Sequence, residues 1–295
     1  MSFGTAEISV VNPKRVLVTG GSGMLGATLV PTLIDEGHSV VRHAHAGQGD
    51  VRGDLAEWKS ARKVFDSVNP DVIVNLAAKT DVAECEADPK AAYLVNVRLV
   101  ENLVRWTLGN SCHLIQVSTD HVYGGNGPHR EDQALPVNYY AFSKYAGELA
   151  AMVSANATVI RTNFFGPSRS SARISFSDWL VNAMEAGERI VVYEDVMFSP
   201  LTMVRLAQYI EMVVLNPRRG IFNVGSRAGK SKADFAFRLG KVMKLQTNTM
   251  QRGSYQATPG IPRPRDMRMD CDLFESSYGL TLPTLDQEID SLGTP

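Results

Sequence analysis

The sequence predicts an α/β fold of the Rossmann type, built on a doubly wound parallel sheet. Three observations lead to this prediction. Short apolar strands alternate with helices through the first half of the chain, as expected for a parallel sheet covered on both faces. A glycine-rich turn at residues 20–26 follows the first strand. Tyr140 and Lys144 stand one helical turn apart later in the chain.

The composition is that of an ordinary globular protein. The chain has 295 residues, of which 44% are hydrophobic and 21% are charged, and its formal net charge is −1. This charge gives no reason to expect nucleic acid or an anionic membrane as a partner. Cys85, Cys112 and Cys271 are scattered without metal-ligand spacing, so we expect no metal site and a reducing, cytoplasmic location. Residues 1–14 lack a signal-peptide core, and no apolar run approaches the ~18–20 residues of a membrane span.

The secondary-structure elements follow one another in a regular order. We expect strands at 16–19, 38–42, 71–76, 113–118, 157–161 and 221–225, and helices at 27–36, 58–68, 91–109 and 139–154. In a doubly wound sheet, ligands bind beyond the carboxyl ends of the strands. Thr19, Ala77, Thr119 and Asn163 fall at or just after such ends, so the site is expected there.

The glycine turn has the spacing G-x-x-G-x-x-G, with Gly20, Gly23 and Gly26. Gly20 and Gly23 lack a Cβ, so the backbone can approach a pyrophosphate closely, while Gly26 lets the next helix pack against the strand. The N–H groups at the helix start, near Met24 and Leu25, favour phosphate. The alternative is an ordinary glycine-rich turn, because the spacing differs from the more familiar G-x-G-x-x-G.

Tyr140 and Lys144 share one helix face because they are four residues apart. A phenol is a poor proton donor near neutrality, and a nearby ammonium lowers its pKa. Tyr140 is therefore a candidate general acid for a carbonyl that receives a hydride, and Lys144 can also hold the ribose of a nicotinamide cofactor. Ser118 and Thr119 offer a hydroxyl that fixes the carbonyl. A surface tyrosine–lysine pair is the alternative, but the glycine turn favours catalysis.

The choice of cofactor depends on the end of the second strand. An acid there would bind the adenosine ribose and favour NAD, but residues 39–45 contain no acid. Arg42 could instead hold the 2′-phosphate of NADP, the alternative being a solvated arginine. We therefore predict that NADPH is the preferred cofactor and that NADH can also serve.

The chain resembles the extended short-chain dehydrogenases/reductases, and among them the dTDP-4-dehydrorhamnose reductase branch. The resemblance rests on residues 19–26, 53–55, 75–82, 118–120, 138–144, 161–166 and 263–266. It implies a catalytic triad of Thr119, Tyr140 and Lys144. It also implies that Asp54 and Leu55 bracket the adenine of the cofactor. The ribose and nicotinamide would be lined by Ala77, Ala78 and Lys79.

The resemblance further implies two domains and a substrate. Residues 13–165, with 198–225 returning to them, would form the NAD(P)-binding Rossmann domain, and residues 166–197 and 226–290 a small C-terminal substrate-binding domain. The expected substrate partner is a nucleotide-diphosphate sugar, and a homodimer is the candidate assembly. The candidate substrate contacts are Thr80, Val82, Ser118, Asn163, Phe164 and Arg263.

The implied reaction is NAD(P)H-dependent reduction of the 4-keto group of a nucleotide-activated 6-deoxysugar. Related dehydratases carry a glutamate where this chain has His121, and enzymes of the GDP-fucose type use a cysteine that is missing here. Simple carbonyl reduction therefore remains. Two alternatives stay open: a non-catalytic, NADP-binding regulatory subunit of the methionine adenosyltransferase type, and a nucleotide-sugar epimerase.

Overall fold

A computed structural model describes residues 12–47, 49–170, 173–255 and 260–293. In chain order, the strands are β1 (Arg15–Thr19), β2 (Ser39–Ala44), β3 (Val51–Arg52), β4 (Val72–Asn75), β5 (His113–Thr119), β6 (Ala157–Thr162), β7 (Phe164–Phe165), β8 (Ile190–Tyr193), β9 (Met197–Phe198), β10 (Leu201–Thr202), β11 (Gly220–Val224), β12 (Lys230–Ser231), β13 (Met250–Gly253) and β14 (Asp266–Met267).

The α-helices are α1 (Gly26–Asp35), α2 (Trp58–Val68), α3 (Val82–Ala87), α4 (Pro89–Tyr93), α5 (Leu99–Thr107), α6 (Tyr139–Ala151), α7 (Phe176–Glu185), α8 (Met203–Leu215), α9 (Lys232–Val242), α10 (Asp272–Tyr278) and α11 (Leu285–Ser291). A π-helical segment (Leu94–Arg98) joins α4 to α5, and 3-10 turns occupy Asp120–Val122 and Glu131–Gln133. None of the helices in the described ranges has the length and apolar character needed to cross a bilayer.

Seven strands form one sheet in the order β11-β6-β5-β4-β1-β2-β3. Every neighbouring pair in this sheet is parallel. Because β1 lies between β2 and β4, the strand order reverses at β1, where a crevice opens at the carboxyl edge. The register sets Thr19 beside Asn75 and Thr119 beside Thr162. The predicted Rossmann-type α/β class, with its doubly wound parallel sheet, is confirmed.

Helices cover both faces of this sheet. Val16 and Val18 of β1 face a cluster that includes Leu29 of α1 and Leu206 of α8. Leu17, between the two valines, faces the opposite cluster, built largely from α2 and α5. A strand buried on both faces has no polar alternation, which is why β1 is continuously apolar in the sequence.

The predicted helix at 91–109 is confirmed as a continuous helical stretch that ends at Thr107, but it is not α-helical throughout. The chain instead runs from α4 through the π-helical segment into α5, and α4 begins at Pro89 after the Asp88 cap. The side chain of Asn96, within the π-helical segment, accepts a hydrogen bond from Lys79 N and donates one to Lys79 O. A Cβ on Gly147 of α6 would come within 2.2 Å of Asn96 O. The interruption thus accompanies tertiary contacts that the local sequence does not display.

Several elements after residue 165, among them α7, α9 and α11, pack around a third cluster that includes Phe165, Phe198 and Phe235. They include a three-stranded sheet in the order β12-β9-β14 and the pair β13-β8, while β11 pairs with β6 in the central sheet. The division into a cofactor domain and a smaller substrate domain stays a prediction. Residues 48, 171, 172 and 256–259 of those predicted domains lie outside the described ranges, as do residues 1–11 of the segment expected to lack a signal peptide.

A buried ion pair joins α6 to the central sheet. Arg161 on β6 and Glu148 on α6 have side chains that are 1% and 0% exposed, and Arg161 Nη2 lies 2.7 Å from Glu148 Oε2. The guanidinium also donates to the Tyr123 hydroxyl at 2.8 Å and to the Glu131 carbonyl at 2.7 Å. The Ser118 hydroxyl of β5 donates to Glu148. The position of α6 relative to β5 and β6 therefore depends on one carboxylate.

We expect Glu148→Ala to lower the free energy of unfolding by about 3–5 kcal/mol, because it leaves the buried Arg161 charge without a partner. Urea denaturation followed by circular dichroism measures this loss. The matched control is Asp132→Ala, which breaks an exposed pair with Arg130 and should change stability by less than about 1 kcal/mol. Equal losses in the two variants would contradict the assigned importance of the buried pair.

Candidate active site

The glycine turn folds tightly against the neighbouring strand. Gly20 has a φ of +66°, and a Cβ on it would lie 2.9 Å from Ala77 N. A Cβ on Gly26 would lie 2.6 Å from Gly20 O, and Gly23 N donates to Gly20 O at 2.9 Å. Larger residues would therefore fill the cradle or force it open. This geometry fits a pyrophosphate held against the backbone.

The start of α1 is positioned to receive an anion. Leu25 is the N-cap residue, and within the described part of the chain no side chain caps this terminus, so the first N–H groups of the helix have no side-chain acceptor there. Met24 is half-buried beside it, while Leu25 packs into the core. The N–H groups and the helix dipole both favour a phosphate at this point.

Arg42 lies beside the turn, but it is paired. A Cβ on Gly21 would be 3.4 Å from Arg42 Cγ. The guanidinium donates to both carboxylate oxygens of Asp50, from Nη2 at 2.8 Å and from Nε at 3.1 Å. The expectation that no acid stands near the end of the second strand is therefore corrected. Asp50 directly precedes β3, outside the segment in which the sequence pattern places such an acid.

The other predicted cofactor residues line the same edge of the sheet in different ways. The Asp54 carboxylate accepts from Ala56 N at 2.8 Å, whereas the Leu55 side chain is buried in the core. Ala77 N donates to the Thr19 hydroxyl at 3.2 Å. The residues that follow, Ala78 and Lys79, are half-buried, and Lys79 Nζ lies 2.6 Å from the exposed carboxylate of Glu84. The segment thus offers mainly its backbone to a ligand.

Thr119, Tyr140 and Lys144 come together at the carboxyl edge of the sheet. The Asn138 side chain caps α6 by accepting from Ala141 N at 2.9 Å, which sets Tyr140 in the first turn. Lys144 Nζ donates to the Val117 carbonyl at 2.8 Å, and the Thr119 side chain lies close enough to the Tyr140 phenol to exert a lowering effect on its pKa. All three of Thr119, Tyr140 and Lys144 are buried.

Burial controls the protonation of this group. It raises the pKa of Tyr140 to about 12, against the lowering effect of the Thr119 side chain. It lowers the pKa of Lys144 to about 8. The expectation that Lys144 lowers the pKa of the Tyr140 phenol is wrong here, because desolvation dominates and the ammonium faces the Val117 carbonyl. Near neutrality the phenol is therefore protonated, which is the form a proton donor needs.

Asp120 continues the group, although the sequence analysis gave it no role. One carboxylate oxygen accepts from the Thr119 hydroxyl at 3.3 Å, and the other from Asn163 Nδ2 at 2.6 Å. Burial raises the pKa of Asp120 to about 7. The sequence feature that could have indicated a role for Asp120 is its position directly after Thr119, at the end of a strand. Asn163, a predicted substrate contact, thus reaches the triad through Asp120.

His121 and Lys232 bring further polar groups to the site. The His121 ring meets the Tyr140 ring edge-on, with centroids 5.6 Å apart, and its buried Nδ1 has no hydrogen-bond partner among the described residues. Burial, with the charges of Lys232 and Arg263, lowers the pKa of His121 to about 3. Lys232 opens α9 and lies 5.0 Å from the centre of the Phe176 ring. Nothing in the local sequence around Lys232 distinguished it.

The remaining predicted substrate contacts are spread around this group. Val82 packs with Tyr140, and the Thr80 hydroxyl accepts from Arg173 Nη1 at 2.7 Å. Phe164 is half-buried against the main core, and Arg263 is exposed, next to a loop that Asn138 Nδ2 contacts at Pro262 O, 3.0 Å away. Within the described ranges, no group of three or more potential ligands could hold a metal ion.

Ser118 requires a correction. The sequence predicts that Ser118 contacts substrate, but its hydroxyl donates to Glu148, inside the Arg161–Glu148 ion pair. Successive side chains of a strand point to opposite faces, so Ser118 and Thr119 cannot serve the same face. The structure leaves Thr119 as the hydroxyl beside Tyr140.

Comparisons with known proteins agree with this arrangement. Residues 14–293 match the family described as the RmlD substrate binding domain. The chain is 28% identical over 288 residues to a probable low-salt glycan biosynthesis reductase, Agl14, of Haloferax volcanii, covering 93% of this chain and 96% of the relative. It is 33% identical over 225 residues to a dTDP-4-keto-6-deoxy-D-glucose reductase of Streptomyces niveus, covering 74% of each chain.

A solved structure supports the fold. The dTDP-4-dehydrorhamnose reductase of Bacillus anthracis, in complex with NADP, superposes with a TM-score of 0.85 over 95% of this chain and 97% of its own, at 22% identity. The family match spans all but the ends of the sequence. This confirms the resemblance recognised from the motifs: the chain belongs to the RmlD substrate-binding family.

Proposed function

We propose that this protein is an NAD(P)H-dependent reductase of the 4-keto group of a nucleotide-activated 6-deoxysugar. The observation that carries the proposal is the meeting of Thr119, Tyr140 and Lys144 at the carboxyl edge of the sheet that holds the glycine turn. The names of the relatives, a glycan biosynthesis reductase and a 4-keto-6-deoxyglucose reductase, support the same reaction.

The chain's own residues have distinct roles in this reaction. The bound nicotinamide supplies a hydride to the carbonyl carbon. Tyr140 donates its phenolic proton to the carbonyl oxygen, which completes the alcohol, and burial keeps that proton in place until it is needed. The Thr119 hydroxyl holds the carbonyl oxygen beside the phenol. Lys144, whose Nζ faces the Val117 carbonyl, holds the ribose of the nicotinamide cofactor and so positions the hydride donor.

The cofactor is held by the glycine turn and the start of α1, and NADPH is preferred because Arg42 stands beside the turn. The nucleotide sugar binds at a second region of the site, apart from the glycine turn that holds the cofactor. Lys232 and Arg263 lie close enough to influence each other's charge, and together they offer cations to a diphosphate. The sugar then reaches Thr119 and Tyr140 between these two binding regions.

The two alternatives predict different behaviour. A regulatory subunit needs no proton donor, so the complete set of Thr119, Tyr140 and Lys144 disfavours it. An epimerase remains compatible with the same residues, because Tyr140 could act as base and then as acid. A protein that binds NADPH tightly but reduces no nucleotide 4-ketosugar would favour the regulatory role.

We propose a cytoplasmic location and a homodimer as the setting for this activity. All three cysteines are unpaired and buried, as expected for a reducing compartment. Phe142 and Leu149 on α6, and Val153 just beyond it, are 54%, 52% and 69% exposed. Their spacing places them along one side of the helix, where a second copy of the chain would cover an apolar surface.

Removing the phenolic oxygen should abolish most of the catalysis. We expect Tyr140→Phe to lower the rate on a nucleotide 4-ketosugar by ~10²–10⁴-fold, the usual effect of losing a positioned acid, with little change in NADPH affinity. Lys144→Ala should lose rate and also weaken cofactor binding, while Thr119→Val should lose rate alone. Stopped-flow kinetics measure the rate of reduction, and binding titrations measure the affinity for NADPH. Tyr139→Phe is the matched control, and a Tyr140→Phe enzyme with wild-type turnover would refute the triad.

Arg42 should set the preference for the phosphorylated cofactor. We expect kcat/KM to be higher with NADPH than with NADH. Arg42→Ala should lower the ratio of the two kcat/KM values, by a factor equivalent to on the order of 1–3 kcal/mol, because a charged hydrogen bond to the 2′-phosphate is lost. Steady-state kinetics with both cofactors measure the ratio. Arg62→Ala, on the exposed face of α2, should leave it unchanged. Equal use of both cofactors by the wild type would contradict this role.

The assembly can be tested separately from the chemistry. Light scattering should give about twice the 32.2 kDa mass of the chain. Leu149→Glu should shift the protein toward monomer because it places a charge in the covered surface. Ile34→Glu, at an equally exposed position on α1, should not. A wild-type protein that is monomeric at all concentrations would exclude the homodimer.

A further inference from the structure

The pairing of Arg42 with Asp50 is closer than an incidental surface contact. Asp50 accepts three hydrogen bonds from Arg42: from the backbone N at 2.8 Å, from Nε at 3.1 Å and from Nη2 at 2.8 Å. The backbone N of Asp50 donates in return to the Arg42 carbonyl at 2.9 Å. Both the position and the orientation of the guanidinium are therefore set by Asp50.

The same pair remains open to a ligand. The two side chains are 47% and 42% exposed, and the contacts with Asp50 use two of the five N–H donors of the guanidinium. The stem of Arg42 lies against Gly21 in the phosphate-binding turn. A group bound at the end of β2 thus meets a cation and an anion side by side.

We infer that Asp50 is a specificity-determining residue, which admits NADH by accepting the 2′-hydroxyl of its adenosine ribose and restrains the preference for NADPH by opposing the 2′-phosphate. A carboxylate at this place has the chemistry by which dinucleotide-binding folds bind the ribose hydroxyl. Its charge repels a phosphate, which Arg42 alone would attract. The protein thus carries the recognition groups for both cofactors in one ion pair. This inference rests on the cofactor use proposed above.

The alternative is that Asp50 only holds Arg42 in place for the phosphate. The two roles predict opposite results when the charge of Asp50 is removed. If Asp50 restrains NADPH binding, the neutral variant binds NADPH more tightly. If it only orients Arg42, the neutral variant binds NADPH more weakly and leaves NADH unaffected.

The experiment titrates wild type and Asp50→Asn with NADPH and with NADH, and follows energy transfer from protein tryptophan to the reduced nicotinamide, without substrate. We expect Asp50→Asn to lower the Kd for NADPH by about fivefold, the size of one unit-charge interaction near 4 Å in water, and to raise the Kd for NADH. The NADPH effect should shrink as salt is added. Calorimetry with 2′,5′-ADP and 5′-AMP repeats the comparison without the nicotinamide.

Two controls isolate the charge. Asp50→Glu retains the carboxylate, so its ratio of the Kd for NADPH to the Kd for NADH should stay near that of the wild type. Asp132→Asn removes an exposed, arginine-paired carboxylate far along the chain from Asp50 and should have no effect on either Kd. The role of Asp50 would be overturned if Asp50→Asn left the ratio of the two Kd values unchanged. It would also be overturned if the variant bound NADPH more weakly and NADH as before. Either result would leave the proposed reductase intact. Failure of the wild type to bind either cofactor would overturn both.

Discussion

The ion pair between Arg161 and Glu148 is the interaction on which the geometry of the site depends. Placing two charges inside a protein is costly unless their geometry and remaining hydrogen bonds are nearly complete. Here the carboxylate accepts from Arg161 and Ser118, and the guanidinium donates also to Tyr123 and Glu131. The Tyr123 hydroxyl in turn donates to Asn223 on β11. One polar network therefore fixes α6 against three neighbouring strands.

That constraint explains how the reactive side chains keep their positions. Lys144 is buried at a cost in solvation, so its charged group adds little to the stability of α6. The helix is instead held near its far end, at Glu148, and at its start, where Asn138 caps it and contacts Pro262. Stability and chemistry are thus assigned to different residues of the same helix.

Local patterns in the sequence predicted much of this arrangement. The glycine turn, the apolar strands and the i, i+4 pair of Tyr140 and Lys144 are encoded within short windows, and the sheet class follows from their alternation. What could not be predicted depends on distant contacts. The π-helical segment accompanies the contact of Asn96 with Lys79, and Asp50 reaches Arg42 across the β2–β3 connection. The role of Ser118 was mistaken because a hydroxyl at a strand end gives no sign of a partner thirty residues away.

The raised pKa of Asp120 makes the protonation of the site sensitive to the charges of its neighbours. The folded protein holds a proton on this carboxyl up to about pH 7, whereas the exposed group releases it near 3.8. Since the folded pKa is the higher one, the stabilisation linked to this proton is complete below 3.8 and is lost as the pH rises through 7. Around neutrality, a bound anion favours the protonated form and a nearby cation the ionised form. A ligand bound beside Asp120 therefore changes the number of protons that the enzyme carries, so that ligand binding is coupled to proton uptake or release.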